Sequence, residues 1–117
     1  MATTQLNLIP AKYMEDSQTN QYTSPAVQNS TVRTLIDKCT ILNVGSTAQT
    51  FSLNLLNSGD SADDSNLLVD ERRVEPGEFY DCPEVVGQVL TEGQIISTIA
   101  SASDTLSLRV SGREVIT

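Results

Sequence analysis

The chain has 117 residues, room for one ordinary domain, and its 15 acidic against 7 basic residues leave a net charge of −8. That balance repels phosphate backbones and anionic surfaces, so direct nucleic-acid and membrane binding are disfavoured, and no apolar run reaches the ~20 residues of a membrane helix. Histidine and tryptophan are absent and aromatics make up 4%, which removes Ser-His-Asp, Cys-His and histidine-metal chemistry and argues against an aromatic groove for sugars or bases.

Residues 1–21 read as an extended N-terminal arm on a domain spanning 22–117. Thr, Gln, Asn and Ser dominate this stretch, yet Leu6, Leu8, Ile9, Tyr13 and Met14 are more apolar than a solvated tail requires. Pro10 is expected to direct the chain away from its own domain. Leu6, Leu8, Ile9 and Tyr13 are therefore the candidate partner-binding anchors, laid across a neighbouring subunit or a shell protein as strand addition or a clamp. The start lacks the basic and apolar segments of a signal peptide, so assembly in the cytoplasm is expected.

Tyr22-Thr-Ser24 reads as a short strand ended by Pro25. From Thr31 to Leu56 β-branched and apolar residues recur between polar ones, predicting an antiparallel hairpin of 31–44 with 49–57, turned at Gly45. In its first strand a period of two puts Leu35, Cys39 and Ile41 on one face and Thr34, Lys38 and Thr40 on the other, with Ile36 and Leu42 out of pattern. In its second, Phe51, Leu53 and Leu55 alternate with Ser52 and Asn54.

Residues 58–65 form a loop by composition. Asp60, Asp63 and Asp64 there admit a calcium site, but the spacing lacks an EF-hand's alternating acids, central glycine and closing glutamate, and a solvated acidic loop is the better reading. Residues 66–74 suggest a strand whose Asp70-Glu-Arg-Arg73 run forms a wet edge. Pro76-Gly77 sits at the centre of a type II turn, and Phe79 to Cys82 resumes the extended chain. Residues 84–91 read as a connection. Residues 94–101 and 105–110 read as a strand pair, followed after Ser111-Gly-Arg113 by a last short strand, 114–117. The sum is an all-β domain, an antiparallel β-sandwich or jelly roll of about seven to eight short strands.

Catalytic constellations are weak. Cys39 and Cys82 read as reduced, inert thiols, since Asp81 and Glu84 beside Cys82 disfavour a thiolate. Two cysteines without histidine leave zinc no usable ligand set. Carboxylate pairs among Glu71, Glu75, Glu78 and Asp81 arise by chance in so acidic a chain, and no phosphate-cradling glycine loop or nucleophile elbow occurs. No enzyme activity, cofactor or metal is expected.

The order of motifs is more telling: Leu8-Ile-Pro-Ala-Lys-Tyr13, Tyr22-Thr-Ser-Pro25, Ile36 to Asn43, Phe51 to Leu55, a Gly/Ser/Asp loop, Leu67-Leu-Val69, Glu75-Pro-Gly77, Val89-Leu-Thr-Glu-Gly93, Ile99-Ala-Ser-Ala102, Leu106 to Val110 and Ser111-Gly-Arg-Glu114. This pattern resembles a family of small structural proteins of tailed-bacteriophage virions, over about residues 8–117. The resemblance implies a β-sandwich or jelly-roll unit in a homo-oligomer, a trimer above others. Such a unit would bind the major capsid protein as a cement or decoration protein, or a neck, collar or tail protein as an accessory. A carbohydrate-binding adhesion module acting through Asp60 to Asp64 is a further alternative.

Overall fold

The computed structural model describes residues 2–117. Nine strands follow one another: β1 (Ala2–Tyr13), β2 (Thr19–Thr23), β3 (Val32–Asn43), β4 (Gln49–Leu56), β5 (Leu67–Val74), β6 (Phe79–Tyr80), β7 (Val89–Thr91), β8 (Ile95–Ala100) and β9 (Leu106–Ile116), with one 3-10 turn at Asp64–Asn66. They form a five-stranded sheet in the order β1-β9-β3-β6, with β7 also on β3, and a four-stranded sheet in the order β2-β8-β4-β5. Every pairing is antiparallel. The partners nest inward along the chain: β1 with β9, β2 with β8, β3 with β6 and β7, β4 with β5. That nesting is the jelly roll, and the all-β sandwich expected from the sequence is what forms.

Each sheet presents one apolar face to the other. Phe51, Leu53, Ile96 and Ala100 from the smaller sheet meet Cys39, Ile41, Leu108 and Val110 from the larger. Tyr80 lies tilted against Phe51 with ring centroids 6.1 Å apart, and the Arg72 guanidinium sits 4.4 Å above the Tyr80 ring. Arg72 thereby covers the rim of the core with a cation on an aromatic face. Burial and the bond to Glu84 push the Tyr80 hydroxyl up to about 12.

The N-terminal stretch is not an arm. β1 pairs along β9 from Ala2 opposite Ile116 to Tyr13 opposite Ser107. Leu8, Ile9 and Met14 are buried in the domain's own core and Leu6 packs against it. The register shifts beyond Asn7 bring the consecutive residues Leu8 and Ile9 both inside, a bulge that period-two reading does not contain. Pro10 falls at the unpaired step between Ile9 and Lys12 of an edge strand, where its missing N–H is tolerated. The boundary between 21 and 22 therefore falls inside β2 and divides nothing.

Two expected hairpins are sheet-switching corners instead. β3 lies in the larger sheet and β4 in the smaller; β8 lies in the smaller and β9 in the larger. The turn residues at Gly45 and at Ser101 to Asp104 mark real reversals, but each reversal crosses the core. β9 also runs unbroken through Ser111-Gly-Arg113 to Ile116, and β7 was hidden in the stretch read as a connection. The Pro76-Gly77 turn forms as expected, with Gly77 at φ +76° and the Glu78 N–H donating to the Glu75 carbonyl at 2.9 Å. The Asp70 to Arg73 run is the exposed edge it suggested.

In β3 the inward residues are Val32, Thr34 and Ile36, then Cys39, Ile41 and Asn43. A bulge between Ile36 and Lys38 flips the parity, so Leu35 faces away from Cys39 and Ile41 rather than with them.

Candidate functional site

In an antiparallel ladder, directly opposite residues project from the same face, so the registers define the outer face of the larger sheet. Tyr13, Ser107, Leu42 and Phe79 form one row across it. Arg109 lies opposite Thr40, and Lys38 opposite Ser111. Arg113, Leu35 and Val89 form another row, with Val115, Arg33 and Thr91 beyond it. The inward neighbours of these residues fill the core, which is why their own side chains must face water or a partner.

Two features distinguish this face. Phe79 is 61% and Tyr13 51% exposed, and Val44 and Val89 are also among the six large apolar side chains left exposed by the described residues. It also carries Arg33, Lys38, Arg109 and Arg113, four of the seven cations of the whole chain. Asp37, the bulged residue of β3, lies beside them and accepts a bidentate pair from Arg113 at 3.0 and 3.1 Å. Among the described residues, Arg33, Lys38 and Arg109 make no ion pair. Arg109 and Lys38 flank a depression of about 450 Å³ that Ala11, Thr40, Leu42, Ser107 and Ser111 complete. A second dip of about 350 Å³, lined by Ala11, Lys12, Tyr13, Val44 and Ser107, adjoins it. Exposed aromatics around desolvable arginine and hydroxyl groups are the make-up of a protein-docking surface.

Of the four anchors expected in the arm, Tyr13 alone stands exposed. Leu8 and Ile9 are interior and Leu6 is half-buried against the core, because a strand that closes the sheet edge must turn its apolar side inward.

The acidic loop resolves differently. Asp63 caps the 3-10 turn: its carboxylate accepts the Ser65 N–H at 2.8 Å, and the Asn66 side chain accepts the Asp63 N–H at 3.0 Å. Bonds from the Ser65 hydroxyl and N–H hold the Asp63 carboxyl below the usual carboxylate range. Among the described residues no three His, Cys, Asp or Glu side chains converge on one point. Glu75 pairs with Arg73 at 2.6 Å on an exposed turn, and Glu71 sits at φ +46° on a bulge of β5 whose N–H donates to Ser52 Oγ.

Cys39 and Cys82 are free and buried. The neighbouring Cys39 thiol, together with burial and the nearby Glu84 and Asp81, pushes the Cys82 thiol far up, and that thiol donates to the Tyr80 carbonyl at 3.8 Å. A thiol-specific reagent should therefore react slowly with the native protein and at once with both cysteines after denaturation. Rapid labelling of one thiol in the native state contradicts that arrangement.

The outer face escaped the sequence reading because it is assembled across five strands distant in sequence. The alternation of Ser107, Arg109 and Ser111 with Leu106, Leu108 and Val110 was a visible trace of it. Against protein-family models, curated proteins and solved structures, the chain matches none. What the geometry defines is a jelly-roll domain with one mixed aromatic and cationic sheet face.

Proposed function

We propose that this chain is a non-enzymatic structural protein of a tailed-phage virion, a cement or decoration protein that binds the major capsid protein through the outer face of its five-stranded sheet. The observation that carries the docking role is the clustering of Tyr13, Phe79, Lys38 and Arg109 on one flat face of an acidic protein. Strands about 36 Å long and roughly 18 Å of sheet width give a face of roughly 600 Å², close to the ~800 Å² that each partner contributes to a standard specific interface. The capsid itself enters through the motif resemblance and through a fold that viral capsid proteins share with lectins and cupins, which is analogy of fold. A neck, collar or tail accessory uses the same face on a different ring of proteins, and electron microscopy of intact particles separates the two by location.

The Lys38→Glu/Arg109→Glu variant tests the face. Both side chains point to solvent and neither has an ion-pair partner among the described residues, so circular dichroism and thermal stability should stay near wild type. Binding to capsid shells should fall by at least about tenfold, and wild-type binding should weaken with added salt. Undiminished binding of this variant, with Phe79→Ala equally silent, removes the face from the proposal.

A further inference from the structure

We infer that β1 is a self-pairing edge, and that two copies of this chain join along residues 2–7 to make one continuous sheet about a two-fold axis. The inference is independent of what the outer face docks on. It rests on a comparison of the sheet edges. β5, one edge of the smaller sheet, is blocked: Asp70, Glu71, Arg72 and Arg73 are exposed along it, and Glu71 bulges it out of line. β2, the other edge, has five residues and its own register shift at Asn20 to Tyr22. On the larger sheet the β6 and β7 edge is broken into two short pieces by the turn through Gly87. Charges, bulges and brevity are the devices by which sheets prevent edge-to-edge association.

β1 has none of them over its first half. From Ala2 to Ala11 it carries no charged residue. Its register on β9 is regular from Ala2 opposite Ile116 to Asn7 opposite Ser111, and the first shift comes only beyond Asn7. Residues 2–5 and Asn7 are exposed, and among the described residues no side chain of 2–9 makes a hydrogen bond. A regular, uncharged edge with unpaired backbone groups is a template for another strand.

A second copy is the occupant that fits. Two molecules of net charge −8 repel wherever their carboxylates meet, and this edge is a long element where none is present. The bulge beyond Asn7 turns the rest of β1 away and confines pairing to 2–7. Opposite residues must share a sheet face, so the axis passes through a residue and not between two. Thr4 opposite Thr4 of the second copy, or Gln5 opposite Gln5, keeps the pleat continuous. The outer faces of the two sheets then become one surface. This contact yields a dimer, in contrast to the trimer that the motif resemblance implies.

Sedimentation of the full chain should show a concentration-dependent dimer. Thr4→Glu/Gln5→Glu and Thr4→Lys/Gln5→Lys should each weaken it about tenfold, because like charges then face one another across the axis, while an equimolar mixture of the two should restore it. Circular dichroism of each variant should match wild type. Single Thr4→Cys or Gln5→Cys chains should cross-link on mild oxidation by a disulfide reagent, and Asn7→Cys, distant from the axis, should not. A wild-type monomer, a trimer, or association that survives both charged variants overturns the inference.

Discussion

Deleting residues 1–10 should leave a chain that no longer folds. Leu8 and Ile9 are 5% and 1% exposed and stand in the core beside Val110 and Leu108. Removal of a buried leucine or isoleucine side chain costs roughly 2–5 kcal/mol, and two of them approach the whole stability of an ordinary domain, roughly 5–15 kcal/mol. The deletion also strips β9 of its neighbour from Val110 to Ile116 and exposes its backbone groups there. The expected outcome is lost near-ultraviolet and β-sheet circular dichroism, with aggregation through the bared β9 edge. The milder Leu8→Ala/Ile9→Ala chain should unfold at markedly lower denaturant with an unchanged slope. A truncated chain that keeps its sheet signal and a cooperative melt would return β1 to the role of a dispensable arm.

That outcome reverses what the stretch suggests in isolation, and the reason is physical. Thr3, Thr4, Gln5 and Asn7 look like a solvated tail because an edge strand has one exposed face and one exposed side. Leu6 and Leu8 keep period two, but Ile9 follows Leu8 inward at a bulge, so the local pattern reads as an irregular apolar cluster. The same device hid the faces of β3, where the bulge beyond Ile36 splits six buried residues into two runs of opposite parity.

What was legible was local. Strand positions from β2 to β6, the wet edge at Asp70 to Arg73 and the turn at Gly77 follow from residue type and short spacing, and with them the sandwich. Pairing was not legible, because in a jelly roll the partners are the ends of the chain and the nested pairs inside them. The sequence neighbours β3 and β4, or β8 and β9, share a corner and no ladder. Local turn chemistry at Gly45 is the same whether the next strand pairs with the last or crosses the core to the other sheet. The outer face inherits this limit. Arg109 and Lys38 are 71 positions apart as numbered in the chain and meet around one depression because β9 lies on β3.

Gly112 is the position where this long-range pairing is most sharply exposed to a single substitution, and Gly112→Ala should be among the most damaging changes in the chain. The residue lies mid-strand in β9, opposite Ile36 at the bulge of β3. A Cβ built there would stand 2.0 Å from the Leu35 carbonyl oxygen and 3.0 Å from Leu8 Cδ1. The leucine terminus can give way, but the carbonyl belongs to the backbone of the central ladder, so relief requires β3 to separate from β9 or the bulge to move. Overpacking typically costs about 1–3 kcal/mol when side chains can adjust, and a clash that displaces the central ladder should exceed the upper end of that range. A one-residue slip of the Val32 to Ile36 run along β9, which would erase the bulge, would also reverse the faces of Thr34 and Ile36, placing a buried pair in solvent. The expected result is a large fall in denaturation midpoint or failure to accumulate as soluble protein. Gly59→Ala offers the comparison: its added Cβ meets nothing within 4 Å, so only the cost of its left-handed backbone, φ +83°, applies. If Gly112→Ala melts no lower than Gly59→Ala, the close approach of β3 to β9 is not as described, and the register that creates the outer face falls with it.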